Sequence, residues 1–162
     1  MRKSTGARRK TALAAALGRQ TAPLRRLTSP HIGVDVVDIP RWEQRLKLGG
    51  DALLKRVYTP DELRFAAGRP ERLATRLAAK EAVLKALGTG IRGIALRDVE
   101  VRVDARGKPT ITLGPPAARR ASQLGLEGIA ISLSHEEGYA MAIAAGFRST
   151  RDRPPGRRPV QK

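Results

Sequence analysis

Cysteine is absent from the 162 residues, and aromatic side chains make up only 3% of them. Without cysteine the chain forms no disulfide bond and no cysteine-ligated zinc site, although this absence does not identify its compartment. Two Phe, two Tyr and one Trp offer no platform on which nucleic-acid bases could stack. A specific nucleic-acid-binding protein is therefore an alternative supported by charge alone.

Long hydrophobic runs are also missing. No apolar run approaches the ~20 residues that a membrane-spanning helix requires. The N-terminal candidate, residues 12–17, is at the short limit for a signal-peptide core and is followed at once by Gly18 and Arg19. We therefore expect no signal peptide, no membrane partner and a soluble, cytoplasmic protein.

Acidic residues do not occur in the first 30 positions, which hold eight Lys or Arg residues and a charge of +8. Residues 147–162 carry six basic residues against one acidic residue, so only +4 of the net charge of +17 falls on residues 31–146. Both ends are rich in Arg, Pro, Ser, Thr and Gly and cannot bury enough apolar area to offset the entropy lost on ordering. We predict disordered basic tails at 1–30 and 147–162 around one domain at 31–146, with solvated extensions favoured over nucleic-acid-binding arms.

Within residues 31–146 the patterns predict a single α+β domain in which a long helix packs on a small antiparallel sheet. Strands are expected at residues 31–37, 99–103, 110–113, 129–134 and 139–145. Helices are expected at about 39–48, 51–57, 60–67, 71–87 and 115–124. Asp38 before Pro40 is a helix N-cap signal, and Thr59 with Glu62 forms a capping box.

The long helix carries charges where an amphipathic helix should be apolar. Four leucines at helical spacing form its apolar stripe: Leu73, Leu77, Leu84 and Leu87. At about 100° per residue Lys80 falls in the middle of that stripe and Glu81 at its edge. One explanation is that Lys80 extends to solvent while Glu81 pairs with Lys85 at i, i+4. The other is that the charges belong to a site.

Two further segments support a site. Asp35 interrupts an apolar strand, and Ser134 with His135 ends another predicted strand. With Glu81, Asp35 supplies a second hard oxygen ligand, and the neighbouring cations and polar groups could clamp a phosphate. Together these residues suit a Mg²⁺-bound phosphate ester.

Five ordered blocks of sequence resemble the holo-acyl-carrier-protein synthases, the small type of 4′-phosphopantetheinyl transferase. The blocks are Gly33–Asp35, Arg76–Gly90, Asp98–Val101, Gly107–Pro109 and Ile131–His135. They span about residues 31 to 145, and five blocks in order are far more specific than one. The family domain normally begins near Ile32, so an upstream start assignment is an alternative explanation for residues 1–30.

The resemblance implies transfer of 4′-phosphopantetheine from coenzyme A to a serine of an apo acyl carrier protein, with release of adenosine 3′,5′-bisphosphate. It implies a transferase-like fold, Mg²⁺ ligation by Asp35 and Glu81, and stabilisation of the pyrophosphate or leaving group by Lys85. Implied contacts to coenzyme A are Lys80, Thr89, Gly90, Lys108, Pro109, Ser134 and His135. For Lys80 a solvated helix charge carries equal weight.

Some roles stay open at the level of sequence. The serine proton could pass to Glu81, to Asp35 or to a metal-activated water. Asp38 either supports the metal ligands or only caps the following helix. The family usually has Gly and Phe where this chain has Thr75 and Leu77, and the smaller Leu77 is expected to change the shape or specificity of the pocket without removing a charge.

The partners follow from the same resemblance. Carrier proteins are acidic, so their docking surface should be basic, and Arg41 matches the family's carrier-contacting arginine, with Arg45 one turn further on. A homotrimer with coenzyme A between neighbouring subunits is implied. The carrier could serve fatty acid, polyketide or peptide synthesis. Rival hypotheses are an inactive relative that binds a carrier or a nucleotide, and a basic nucleic-acid-binding protein.

Overall fold

The computed structural model describes residues 31–90 and 93–148. The predicted tail at 1–30 and residues 149–162 of the other predicted tail lie outside the described residues. Phe147 and Arg148, predicted to belong to the C-terminal tail, instead end a strand, because they pair with the neighbouring strand of the sheet. Within these ranges the strands are β1 (His31–Asp38), β2 (Val99–Val103), β3 (Pro109–Leu113), β4 (Leu126–Glu136) and β5 (Tyr139–Arg148). The α-helices are α1 (Ile39–Val57), α2 (Pro60–Ala66), α3 (Pro70–Ala86) and α4 (Pro115–Gln123). A 3₁₀ turn at Leu96–Asp98, which the sequence patterns did not predict, precedes β2.

The main sheet is antiparallel and has the strand order β1-β5-β4, while β2 and β3 form a separate two-stranded sheet. Ala142 on the central strand faces Asp35 on one side and Leu133 on the other. Successive side chains on a strand point to opposite faces. The inner face therefore buries the alanines of β5, Ala140, Ala142 and Ala144. The outer face exposes larger apolar residues.

Helix α3 lies on the inner face of this sheet and is buried along almost its whole length. Alanine at positions 78, 79, 82 and 86 gives it a narrow surface toward the strands. Gly33 completes the close approach, because a Cβ at this position would come within 2.8 Å of the Ala86 backbone nitrogen. The predicted packing of a long helix on a small antiparallel sheet is confirmed, and it brings β1 next to α3.

Local signals account for the helix boundaries near the site. Asp38 Oδ1 accepts a hydrogen bond from the Arg41 backbone nitrogen at 2.9 Å, which caps α1. Thr59 and Glu62 form the reciprocal capping box that begins α2. The two helices predicted at 39–48 and 51–57 form one element that is interrupted at Gly50, whose φ of 54° is not helical.

A buried hydrogen-bond chain joins α1 to α3. The indole nitrogen Nε1 of Trp42 donates to Tyr58 Oη at 2.8 Å. The Tyr58 hydroxyl in turn donates to the Leu73 carbonyl oxygen at 2.8 Å. Burial raises the pKa of Tyr58 well above its ordinary value, because the phenolate would be poorly solvated there. The hydroxyl therefore stays protonated and holds the two helices together.

Candidate active site

A cleft of about 400 Å³ opens where β1, α1 and α3 meet. The charged side chains that line it are Asp35, Asp38, Arg41, Arg45 and Glu81. Asp35 enters it from β1 and Glu81 from α3, because Gly33 lets the helix cross the strand closely. The fold thus brings together the two predicted metal ligands, which lie far apart in the sequence, and the two predicted carrier-contacting arginines.

Asp35 and Glu81 concentrate negative charge in this cleft. Burial raises the pKa of the Glu81 carboxyl, and the charge of Asp35 raises it further, while Lys85 acts in the opposite direction. A cation between the two carboxylates would relieve their repulsion. Mg²⁺ commonly takes one or two protein carboxylates, substrate phosphates and several waters, so the donor set suits this ion. Across residues 31–90 and 93–148, no group of three or more His, Cys, Asp or Glu is placed to hold a metal.

Lys85 pairs with the aspartate of β1. Its ammonium donates to Asp35 Oδ1 at 2.7 Å and to the Val34 carbonyl oxygen at 2.9 Å. The ion pairs among the described residues include this contact and none between Lys85 and Glu81. The i, i+4 pair, one of the two explanations that the sequence left open, is therefore not formed, because the closeness of β1 offers Lys85 a better-placed carboxylate.

Lys80 is fully buried, with 0% of its side chain exposed. Its ammonium donates to Glu62 Oε2 at 2.7 Å, to the Leu96 carbonyl oxygen at 3.2 Å and to the Val99 carbonyl oxygen. Burial lowers the pKa of Lys80, and the charge of Glu62 acts against that shift. All three donors of the ammonium are used inside the protein. A solvated Lys80 is therefore wrong for this geometry. The contact from Lys80 to coenzyme A stays a prediction, for which the three internal contacts leave the ammonium no free donor.

Glu62 is the residue that the sequence patterns missed. They placed it only in a capping box, yet it is buried and joins three elements. Oε1 accepts the Val101 backbone N–H at 2.9 Å, and Oε2 accepts the Thr59 backbone N–H at 2.9 Å as well as Lys80. The network ties α2 and β2 to the residue next to Glu81. The position of Lys80 in the middle of an apolar stripe is the sequence signal that a buried partner such as Glu62 is required.

Arg41 and Arg45 are exposed and lie one turn apart on α1. Neither takes part in the ion pairs found within the described part of the chain. Asp38 also lines the cleft, and its observed contact is the cap of α1. The structure thus places two cations on the rim of the cleft that holds Asp35, and their contact with a carrier stays a prediction.

The other predicted contacts to coenzyme A do not line this cleft. Thr89 and Gly90 follow the end of α3, and Lys108 with Pro109 lies at the hairpin between β2 and β3. Ser134 and His135 lie on β4, which β5 separates from β1. Because they are consecutive on a strand, Ser134 and His135 face opposite sides of the sheet.

The two departures from the family pattern lie on the buried part of α3. Leu77 is 5% exposed and forms part of the wall of the cleft. Thr75 is buried, and its hydroxyl donates to the Glu71 carbonyl oxygen one turn earlier. Leu77 is therefore in a position to change the shape of the cleft, as expected, whereas Thr75 is satisfied within its own helix.

The part of the chain that the structure describes contains no helix long and apolar enough to cross a membrane.

Comparison with known proteins identifies the family of this chain. The family model of the 4′-phosphopantetheinyl transferase superfamily matches residues 31–144. A holo-[acyl-carrier-protein] synthase of Geobacter sp. (strain M21) is 44% identical over 115 residues, which cover 68% of this chain and 92% of that protein.

Solved structures show the same similarity. The holo-[acyl-carrier-protein] synthase of Neisseria meningitidis has a TM-score of 0.67 and 38% identity over 72% of this chain and 97% of its own. The Helicobacter pylori holo-[acyl-carrier-protein] synthase in complex with coenzyme A has a TM-score of 0.66 and 28% identity over 72% of this chain and 99% of its own.

Proposed function

Since the chain belongs to the 4′-phosphopantetheinyl transferase superfamily and has the activity of its holo-acyl-carrier-protein synthases, we propose that the cleft around Asp35 and Glu81 is where the reaction occurs. The reaction moves 4′-phosphopantetheine from coenzyme A to a serine of an apo acyl carrier protein and releases adenosine 3′,5′-bisphosphate. The observation that carries the proposal is that one cleft holds both carboxylates together with Arg41 and Arg45 of α1.

Asp35 and Glu81 would hold a Mg²⁺ ion. When bound, the ion would neutralise charge that develops on the phosphate oxygens during transfer. The partial burial of both carboxylates favours this role, since partly desolvated carboxylates gain more from a cation than fully exposed ones do.

Lys85 would bind the pyrophosphate or the leaving phosphate. Its side chain is 51% exposed and its ammonium already lies beside Asp35, so a phosphate held near the two carboxylates is within reach of a flexible lysine. A positive charge placed there in advance stabilises the leaving group without reorganisation of solvent.

Arg41 and Arg45 would dock the carrier. Both lie on the rim of the cleft, so an acidic carrier bound by them would present its serine to the site where phosphate is held.

Incubation of the purified protein with coenzyme A, Mg²⁺ and an apo carrier tests the proposal. We expect the carrier to gain one phosphopantetheine mass in a mass spectrum, and this gain to disappear in Asp35→Ala. Persistence of the gain in that variant would contradict the assigned site.

A homotrimer is proposed as the active assembly, with coenzyme A between neighbouring copies. The outer face of the main sheet supports it, because it leaves exposed the apolar residues Ile32, Val34, Val36, Met141 and Ile143. Val34 faces Ile143 and Val36 faces Met141 across β1 and β5, so these side chains form one continuous patch. An exposed apolar patch of this kind is typical of a protein interface. Residues of β4 and of the β2–β3 hairpin, which one copy holds away from its own cleft, would then serve a neighbouring copy.

The proposed location is the cytoplasm, with the carrier of fatty acid biosynthesis as the first candidate partner. Carriers of polyketide and peptide synthesis are the alternatives. Parallel reactions with one purified carrier of each class would identify the preferred partner from the ratio of their kcat/KM values.

A further inference from the structure

Lys85 contacts the same carboxylate that we assign to the metal. Its Nζ lies 2.7 Å from Asp35 Oδ1. Asp35 is only 11% exposed, whereas Lys85 is 51% exposed. The contact therefore joins a nearly buried carboxylate, held on a strand, to a long side chain whose flexible stem allows it to turn toward solvent.

The charge of Lys85 acts on both proposed ligands. It lies against Asp35 and is also close enough to Glu81 to oppose the upward shift of that carboxyl's pKa. A divalent cation brought to these carboxylates therefore meets a positive charge already beside them. Solvent screens such repulsion only in part when the charges lie within a few ångströms of each other, so the ammonium reduces the affinity for the metal.

We infer that Lys85 and the divalent cation compete for Asp35, and that a phosphate group relieves the competition by drawing the lysine ammonium to itself. The inference rests on the proposed metal site and deepens it. Because coupling between two ligands is reciprocal, the phosphate strengthens metal binding through Lys85 and the metal strengthens phosphate binding to the same extent. The cleft then acquires its full affinity for metal only together with the substrate.

The first test measures metal binding without any nucleotide. The full chain is titrated with Mn²⁺, and the free ion is followed by electron paramagnetic resonance. Lys85→Met should lower the Kd for Mn²⁺ by roughly tenfold, since the competing charge is gone. Lys85→Arg keeps the charge and should bind like the wild type. Lys47→Met is the matched control, because the exposed Lys47 pairs with Glu43 on α1 at 2.8 Å, away from the two carboxylates. An unchanged or higher Kd in Lys85→Met overturns the inference.

The second test measures the coupling. Adenosine 3′,5′-bisphosphate is added at saturation, and Mn²⁺ bound by the nucleotide in solution is subtracted. The bisphosphate should lower the Kd for Mn²⁺ by a larger factor in the wild type than in Lys85→Met, with a difference of roughly tenfold between the two factors. Equal factors in the two proteins overturn the inference.

Asp35→Asn separates this inference from the proposed function. If Asp35→Asn loses Mn²⁺ binding while Lys85→Met shows no gain in affinity for Mn²⁺, the proposed metal site stands. The inferred competition between Lys85 and the metal is then wrong. If Asp35→Asn binds Mn²⁺ as the wild type does, Asp35 is not a ligand, and the proposed metal site and the competition are both overturned.

Discussion

Gly33 on β1 lies against the Ala82 carbonyl oxygen on α3, so closely that a Cβ at position 33 would stand 1.9 Å from that oxygen. No rotamer change relieves such a contact, because both partners are backbone atoms or fixed to them. The short distance between β1 and α3 therefore depends on the absence of a side chain at Gly33. The same short distance brings Asp35 and Glu81 into one cleft.

Gly33→Ala is therefore expected to push α3 away from β1. We expect a loss of about 1–3 kcal/mol in the free energy of unfolding, as for other overpacked cores, together with a fall in transfer rate. Urea unfolding measures the free energy of unfolding, and a carrier-modification assay measures the transfer rate. Gly128→Ala is the control, since a Cβ there would meet no atom within 4 Å. Equal stability of the two variants would show that α3 does not depend on this approach.

Asp35→Ala and Glu81→Ala should each reduce transfer by roughly 100-fold or more while the fold stays intact, because each removes one of two carboxylates that hold the metal. Turnover measured over a range of Mg²⁺ concentrations, with circular dichroism as a check of the fold, tests this prediction. Asp61→Ala, which removes an exposed aspartate of α2, should leave turnover unchanged. Near wild-type turnover of either cleft variant at low Mg²⁺ would show that the ligands are misassigned.

Arg41→Glu should raise the KM for the carrier at least about tenfold at low salt and flatten its dependence on salt, because an attractive charge becomes repulsive at the contact. The KM for coenzyme A should stay within about twofold, since exposed charges elsewhere contribute little. Arg56→Glu makes the same charge change at another exposed site on α1 and serves as the control. An unchanged carrier KM would rule out docking, and a raised coenzyme A KM would place Arg41 in the nucleotide pocket.

Lys80→Met should lower the free energy of unfolding by about 3–5 kcal/mol, because it leaves the buried Glu62 without its counter-ion. Adding Glu62→Gln to this variant should restore part of the loss, since a neutral amide needs no counter-ion and its oxygen can still accept the Val101 N–H. Urea unfolding of the single and double variants measures the effect. A double variant less stable than Lys80→Met would contradict the argument.

The stability of the protein should fall as pH rises above 10 in part because of Tyr58. Its pKa is raised in the folded state from the ordinary value of 10.0, so the unfolded chain loses the phenolic proton first and ionisation favours unfolding. At pH 7 Tyr58→Phe should cost about 1–3 kcal/mol, because Trp42 and the Leu73 carbonyl lose their buried partner.

The difference in unfolding free energy between the wild type and Tyr58→Phe should therefore shrink between pH 9 and pH 11. Urea unfolding of both proteins at several pH values measures it. A difference that stays constant over this range would show that Tyr58 titrates alike in the folded and unfolded chains.

Features that depend on neighbours within a few residues follow from the sequence alone. Asp38 and Thr59 cap the helices that follow them, as the patterns predict, because a capping contact spans only three residues. The alternation of the β1 side chains between the two faces of the sheet follows from the fixed period of a strand, and the apolar stripe of α3 follows from the fixed period of a helix. The five ordered motif blocks are specific enough to indicate the family without any coordinates.

Which charged side chains pair with each other depends on the tertiary packing. Lys80 stands in an apolar stripe in the sequence, but its partner Glu62 lies on a different helix. Helical periodicity alone therefore cannot tell whether Lys80 is buried in an ion pair or extends to solvent. The sequence left open a pair between Lys85 and Glu81 one turn away, yet Lys85 pairs with Asp35 across the interface that Gly33 makes close. Ion pairs between distant segments depend on how helix packs on strand, and that packing is a property of the whole domain and not of any local pattern.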